Sequence, residues 1–522
     1  MANALLTVFV LLVAVSLLCA AYIISNDAKL ARVSAEAQSI SPRRWTEDEI
    51  RACHASLVDG PKSVLEGKLP PKTGRRYIVV GGAGFLGGWI VIHLLQRGED
   101  PRHIRVLDIR PPEREDLQKD QIGDVEFIQV NITVREQVEA AFRKPWPGDD
   151  EAGWDRPELT VFHTAATIRF YERHPDLLHL SELVNVYGTQ NLLDAARLVG
   201  AKIFISTSSG SVAVRRTRFW LFPWEKEPKY FTQVITDDPS LLPKQHDHFF
   251  SNYAVSKLAG ERRVIAADGT RSGREGVIRT GCIRPGNGVY GPGGDLIAGA
   301  YLVKQYNPTW IHNIVQSFCH VENCSLAHLL YEARLVELEQ GTSNPDIGGD
   351  VFCVADSDPP PTYGDTQRAL TMLSNGQTTF PHFSPSAMLG IAQLIELYYL
   401  ARRSLYNSRF AFLCRFIPAI VGDIVFLQPS MFSLTNVHLY FDDSRARAPP
   451  EKGGLGYTNH CSTLVGICHV VVDHFRTGGK GTARAVADHI ATEQSSLLGA
   501  EEAVGHLVEK LGEGLELKNA LN

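Results

Sequence analysis

The sequence carries no surplus of positive charge and no closely paired cysteines. Lys and Arg total 52 against 58 Asp and Glu, a formal net charge of −6. A nucleic-acid binder needs excess cations to neutralise phosphates, so that class is excluded. Nine cysteines are scattered from Cys19 to Cys468, an odd number without a CxxC pair. That spacing supports neither a disulfide framework nor a zinc site; reduced, buried thiols in a reducing compartment are expected. No internal repeat stands out. What remains is ordinary: 522 residues, 44% hydrophobic and 21% charged. Such a chain buries a large core and has room for two to four domains.

Charge is also missing between Ala4 and Ile24. The run is long enough to cross a bilayer as one helix. A cleaved signal peptide is the competing reading, but no Lys or Arg precedes the run and it is long for a signal core. Lys29, Arg32, Arg43 and Arg44 follow it. Basic residues stay on the cytoplasmic side, so a retained single-pass anchor with the bulk of the chain in the cytosol is expected. On a cytosolic domain the sequons Asn131-Ile-Thr and Asn323-Cys-Ser carry no meaning.

Beyond a polar stretch ending near Pro61, Pro70 and Pro71, apolar runs alternate with helical patterns. Strands are expected at Tyr77-Ile-Val-Val, Arg105-Val-Leu-Asp, Val125-Glu-Phe-Ile-Gln-Val, Thr160-Val-Phe-His and Lys202-Ile-Phe-Ile-Ser, with helices over 85–96, 135–142 and 184–198. Alternation of this kind specifies a parallel sheet covered on both faces. From about residue 290 the pattern loses regularity, with one further strand expected at Val351-Phe-Cys-Val. Residues 386–427 are apolar and aromatic, interrupted by Arg402-Arg403. They suit core helices and helices lying in a membrane surface equally well.

Two motifs carry chemistry. In Val80-Gly81-Gly82-Ala83-Gly84-Phe85-Leu86-Gly87 a strand ends in glycines and a helix begins. Gly81, Gly84 and Gly87 allow a tight turn and let backbone approach a pyrophosphate at a helix N-terminus. Asp108 follows Gly87 by 21 residues, at the end of the next strand. A carboxylate there accepts bonds from a ribose diol and repels a 2′-phosphate, which favours NAD; Arg110 nearby leaves NADP open. The second motif is Tyr253-Ala-Val-Ser-Lys257, whose Tyr and Lys share a helix face. A nearby ammonium lowers the phenol's pKa, so that the phenolate takes a hydroxyl proton as hydride leaves. Ser209, in Ser206-Thr-Ser-Ser-Gly-Ser211, offers a hydroxyl to orient the substrate oxygen, though turn chemistry alone also accounts for that cluster.

With these, His163-Thr-Ala-Ala166, Asn185-Val-Tyr-Gly-Thr189, Arg284-Pro-Gly-Asn-Gly-Val-Tyr-Gly-Pro-Gly293, His320-Val-Glu-Asn323, Ala327-His328 and Leu455-Gly-Tyr457 fall in one order. The chain resembles the extended short-chain dehydrogenases over roughly residues 74–475. Through Phe352-Cys-Val-Ala-Asp-Ser-Asp-Pro359 and its membrane segment it is most similar to the 3β-hydroxysteroid dehydrogenase and sterol-4α-carboxylate 3-dehydrogenase branch. The resemblance implies a doubly wound Rossmann sheet with a smaller C-terminal substrate region and an N-terminal transmembrane helix. It implies Tyr253 as proton acceptor, Lys257 binding the nicotinamide ribose, Ser209 holding the reacting oxygen and Asn185 steadying the active-site helix. It places Phe85, Leu86, Asn131, Ile132, Ala165, Ala166 and Pro285 along the cofactor. Expected units are an anchor (1–25), a stalk (26–73), a NAD-binding domain (74–290), a substrate region with membrane-associated helices (291–478) and a polar helical tail (479–522). An endoplasmic-reticulum membrane location, contact with membrane lipid and a homodimer are compatible with that branch.

Three departures stand out. Asn131 replaces the family's Asp, and His320-Val-Glu its Tyr-Val-Asp. The 44 residues from Ser209 to Tyr253 include an insertion, Arg215-Arg216-Thr-Arg218 and Phe219-Trp-Leu-Phe-Pro-Trp224, that suits a lid at a membrane interface or a loop packed on its own domain. Oxidation of a 3β-hydroxyl beside a C4 carboxylate gives a β-keto acid that loses carbon dioxide. A 3β-hydroxysteroid dehydrogenase/isomerase or a terpenoid oxidoreductase uses the same residues. A non-catalytic NAD sensor would lack the Tyr/Lys pair, and the anchor and aromatic insertion disfavour a sugar-nucleotide epimerase.

Overall fold

The computed structural model describes residues 2–60, 63–149, 157–356 and 359–483. Its centre is a seven-stranded, wholly parallel sheet: β1 (Arg76–Val80), β2 (Ile104–Asp108), β3 (Glu126–Gln129), β4 (Leu159–His163), β5 (Ile203–Thr207), β6 (Arg279–Pro285) and β7 (Val351–Val354). The strands lie in the order β7-β6-β5-β4-β1-β2-β3, so the chain reverses direction across the sheet between β1 and β4. Val80 at the end of β1 stands opposite Leu107 on one side and His163 on the other. Strand ends on both sides of the reversal therefore open onto one crevice, where open α/β sheets bind ligands.

Helices cover both faces, the doubly wound arrangement expected from the alternation. On one face Tyr77, Val79 and Val106 pack under α2 (Phe85–Gln96), through Ile90 and Leu94, and under α6 (Val321–Glu339), through Ala327 and Leu335. On the other, Ile78, Val80 and Val161 meet Val138 and Phe142 of α3 (Arg135–Arg143), Leu192 and Ala196 of α4 (Thr189–Val199) and Val264 of α5 (Asn252–Ala266).

β6 and α6 escape the sequence pattern for a shared reason. Both bury polar side chains. Arg284 of β6 lies in the core with Glu261 of α5, their atoms 2.6 and 2.8 Å apart in a bidentate pair, and the Ser208 hydroxyl donates to the same carboxylate at 2.6 Å. Glu322, Asn323, His328 and Glu332 of α6 are equally buried, which erases its apolar stripe.

The N-terminal helix α1 (Ala2–Leu30) is exposed over its first two-thirds. One candidate membrane span, of mean hydropathy 2.8, is present among the described residues, and it is this segment. The residues read as a stalk lie against the body. A helix at Glu47–Leu57, capped by Thr46 and Glu49, buries Ile50 in a cluster with Tyr363 and Val470. The Ser41 hydroxyl donates to the Pro360 carbonyl at 2.6 Å, and Arg44 pairs with Asp365 at 2.7 Å. Residues 386–427 form α7 (Pro385–Tyr406) followed by two short 3₁₀ turns. Of the tail, residues 484–522 lie outside the described residues. So do Ser357 and Asp358 of the segment beginning at Phe352.

The Glu261–Arg284 pair yields a stability test. Arg284→Met strands a buried carboxylate and is expected to lower the unfolding free energy by about 3–5 kcal/mol. Adding Glu261→Leu removes that charge and restores a large part of the loss. Denaturant titration of the three proteins checks this; a single variant as stable as the parent contradicts it.

Candidate active site

The glycine motif forms the turn its spacing requires. Gly81 sits at φ +81°, and a Cβ there would lie 2.6 Å from the Thr164 hydroxyl. At Gly87 a Cβ would lie 2.2 Å from the Gly81 carbonyl, so only glycine lets α2 approach the strand end so closely. Gly84 is the N-cap of α2, is exposed, and makes no side-chain cap bond. The first N–H groups of α2 are thus presented without a capping side chain, beside a residue that lets backbone approach, and these groups fit a pyrophosphate. Phe85 and Leu86 open that turn, half-buried; the Phe85 carbonyl accepts from Arg114 at 2.9 Å.

Asp108 ends β2 one strand over. Its carboxylate accepts the Ala83 N–H at 3.1 Å and the Arg110 N–H at 3.3 Å, which fixes it at the rim of the turn. Burial pushes its pKa up against the pull of those backbone bonds. The residues fit a ribose diol: two backbone N–H bonds leave the carboxylate further acceptor capacity. Ala165 and Ala166 follow β4, half-buried beside Gly81. Ile132, after β3, is buried against Gly188. Asn131 turns back on itself, accepting from the Thr133 N–H at 3.0 Å and hydroxyl at 2.9 Å. Pro285 ends β6, buried, its carbonyl close against Gly210.

The Tyr/Lys pair stands on α5, whose N-cap Ser251 accepts from the Ala254 N–H. Tyr253 is half-buried; Lys257 is buried and donates to the Thr207 carbonyl at the end of β5 at 2.7 Å. Burial pushes the Lys257 pKa down to about 8. Burial raises the Tyr253 phenol, and a hydrogen bond with Ser209 opposes that rise. Ser209 caps a 3₁₀ turn (Gly210–Ala213), and its hydroxyl lies 2.7 Å from that of Ser211. Ser209, Tyr253 and Lys257 therefore do meet, at the C-terminal edge of β5.

Asn185 joins this group from an unusual backbone. It lies in a π-helical turn (Leu183–Gly188) that leads into α4. Its amide accepts the Thr167 N–H at 2.9 Å and donates to the Thr167 carbonyl and the Ser256 hydroxyl, both at 3.0 Å. A single π turn inside a helix is a common mark of a functional site. Here it ties the loop after β4 to the Tyr253 helix. At Gly260 a Cβ would lie 2.2 Å from the Asn185 carbonyl, so α5 and this turn touch backbone to backbone.

Two supports were missed by the sequence reading. Glu261 lies eight residues after Tyr253, on the same helix face, and with Arg284 it anchors the inner side of α5. The spacing 253, 257, 261 was a usable sign. The second is His163, whose Nε2 lies 2.9 Å from the Thr189 hydroxyl; burial, then the Lys257 charge, push its pKa down to about 3.

When bound, a nicotinamide dinucleotide supplies the hydride acceptor. We propose that the chain's own part is proton handling, with Tyr253 removing or returning a proton at a substrate oxygen, Ser209 holding that oxygen and the Lys257 charge favouring the phenolate. Because Lys257 binds its proton less tightly folded than at its ordinary 10.5, the unfolded state holds more protons between pH 8 and 10.5. Stability from this group therefore rises with pH across that window. Lys257→Met is expected to flatten that rise in the cofactor-free protein, measured by thermal unfolding at several pH values; an unchanged slope contradicts it.

The chain is similar to several known proteins. Residues 78–378 match the 3-beta hydroxysteroid dehydrogenase/isomerase family. Isoform 2 of an Arabidopsis thaliana 3beta-hydroxysteroid-dehydrogenase/decarboxylase is 27% identical over 344 residues, 63% of this chain and 53% of that protein, so the chain spans about half of that relative's length. Isoform 1 is 26% identical over 400 residues, 74% of this chain and 76% of its own. The Mus musculus 3 beta-hydroxysteroid dehydrogenase type 7 is 29% identical over 295 residues, 55% of this chain and 70% of that protein. A Thermotoga maritima UDP-glucose 4-epimerase structure aligns at 18% identity and TM-score 0.49, over 77% of this chain and 99% of its own. With a match covering more than half of its length, this chain belongs to the 3-beta hydroxysteroid dehydrogenase/isomerase family.

Proposed function

We propose that this protein oxidises the 3β-hydroxyl of a sterol-like substrate with NAD, and that it does so at a membrane surface. One observation supports this above the rest: Tyr253 packs against the same apolar cluster that contains Leu30, at the inner end of α1. Phe219 and Leu221 of the insertion, Leu389 of α7 and Phe432 belong to it, and Phe170, Trp220, Met388, Leu427 and Met431 flank it. A proton acceptor walled by this much hydrocarbon suits a large apolar alcohol better than a sugar nucleotide.

The membrane side is built from three segments. Asn26 of α1 donates to the Phe219 carbonyl at 3.0 Å and the Ser386 hydroxyl at 2.8 Å. Lys29 donates to the Phe222 and Pro223 carbonyls at 3.0 Å. These bonds lock the exit of α1 to the insertion and to α7. The same segments expose Trp224 (76%), Leu397 (65%) and Phe416 (68%), more apolar surface than water tolerates cheaply. Phe222 stacks on Trp224 at 4.9 Å with Arg218 over the Phe222 ring, an aromatic and basic edge suited to the headgroup layer. On this reading the insertion is packed at its base and lipid-facing at its tip. The body lies on the cytosolic face of the endoplasmic-reticulum membrane, and substrate enters from lipid.

Where the substrate carries a carboxylate at C4, the 3-ketone makes it a β-keto acid. Carbon dioxide then leaves because the ketone takes up the developing charge. Two of the relatives carry decarboxylase in their names. Detergent-solubilised protein incubated with NAD and 3β-hydroxysterols, with and without a 4-carboxylate, is expected to form NADH and a 3-ketone, with loss of carbon dioxide from the carboxylated members. A protein that binds NAD and oxidises no sterol, or that epimerises a nucleotide sugar, contradicts the proposal.

A further inference from the structure

A second cluster of chemically able side chains lies inside the molecule, where α6 meets the C-terminal helix α8 (Thr463–Thr477). His320, immediately before α6, Glu322 in its first turn and His469 of α8 point ligand atoms into one space, all within 4.8 Å of one another. All three are fully or almost fully buried. The Glu322 carboxylate accepts from the Ser63 hydroxyl and, at 3.3 Å, from the Val64 N–H, so it acts as an ionised acceptor. Its ion-pair partners among the described residues are His93 at 3.3 Å and His469 at 3.9 Å, with no Arg or Lys. A buried negative charge without a cation is costly.

His320 adds an independent sign. Both of its ring nitrogens are buried and neither has a hydrogen-bond partner. A ring nitrogen stranded in this way costs free energy unless something else binds it. The His320 ring lies 5.9 Å from that of His469 at 26°, so the two imidazoles are stacked. On the other side His93 of α2 turns Nε2 toward Glu322, while its Nδ1 lies 2.8 Å from the Ser325 hydroxyl. A ring held at one nitrogen by a hydroxyl, with the other aimed inward, is the outer-shell pattern that orients metal-binding histidines.

We propose that His320, Glu322 and His469, with His93 as the fourth donor, bind a divalent transition-metal ion of the zinc class. Imidazole and carboxylate donors suit such ions. Metal–nitrogen bonds of about 2.0–2.1 Å place tetrahedral ligand atoms roughly 3.3 Å apart, so atoms now within 4.8 Å of one another would draw together by up to about 1.5 Å. The ion's place is structural. It would join α2, α6, α8 and the segment at Ser63, and it would neutralise the buried carboxylate. The departure of His320 from the family's Tyr was the sequence's sign of it; cysteine spacing could not reveal a site made without cysteine.

The test uses full-length, detergent-solubilised protein without a polyhistidine tag, prepared without chelator. Elemental analysis is expected to find about one zinc per chain. A strong chelator lowers the thermal midpoint by several degrees, and added zinc restores it. His320→Tyr, which places the family's residue there, and His469→Gln each reduce bound zinc at least about tenfold. Protein that stays zinc-free after incubation with zinc and dialysis overturns the proposal and leaves a His93–Glu322 ion pair to neutralise the charge. Unchanged zinc in both variants overturns it too. Should the variants fail to fold, cobalt exchanged into the parent protein decides: tetrahedral visible absorption supports the site, and its absence overturns it.

Discussion

Two backbone contacts are too tight to admit a side chain, and the geometry of the site depends on them. Gly87 brings α2 against the Gly81 carbonyl, and Gly260 brings α5 against the Asn185 carbonyl. The first contact aims the uncapped N–H groups of α2 into the crevice beyond β1. The second holds the Tyr253–Lys257 face against the π turn and, through it, against the loop after β4. Both lie next to the sheet reversal between β1 and β4. A dinucleotide laid across that reversal would meet phosphate-binding backbone at one end and the proton acceptor at the other. The buried Glu261–Arg284 pair and the Lys257 bond to Thr207 keep α5 from rolling out of this position.

The same framework joins the Tyr253 helix to the apolar N-terminal helix. The exit of α1, the aromatic insertion and α7 share hydrogen bonds with one another and belong to one apolar cluster against which Tyr253 packs. Arg173 and Glu396, in a bidentate pair at 2.6 Å, and Tyr399, bonded to Glu172 at 2.7 Å, tie α7 to the loop after β4, whose Glu172 carbonyl accepts the Asn252 N–H at the start of α5 at 2.8 Å.

Much of this was legible in the sequence where local chemistry decides structure. β1 to β5 are short apolar runs, and α2 begins at Phe85 and ends at Gln96, as its pattern states. The glycines, Asp108, Ser209, Tyr253 and Lys257 stand in a row of strand ends because spacing and strand order suffice to put them there. Legibility fails where burial and polarity part company. β6 hides behind Arg284 and Gly281, whose missing Cβ makes room for the Tyr331 ring. α6 hides behind five buried polar side chains, Glu322, Asn323, Ser325, His328 and Glu332. The polar segment after α1 looks like a linker because its contacts are made with residues distant in sequence, Ser41 with Pro360 and Ile50 with Tyr363 among them. In the insertion Phe219 and Leu221 are buried on the body, while Phe222 and Trp224 are exposed.

The central claim is that Tyr253 moves a proton at the substrate oxygen while the glycine turn holds the dinucleotide independently of it. The most direct measurement compares NAD binding and NADH formation in Tyr253→Phe, full-length and detergent-solubilised, with a 3β-hydroxysterol the parent oxidises. Expected is NAD binding within about twofold of the parent, with turnover reduced roughly 10²–10⁴-fold, the range lost with a general base. Turnover retained in Tyr253→Phe would contradict the claim.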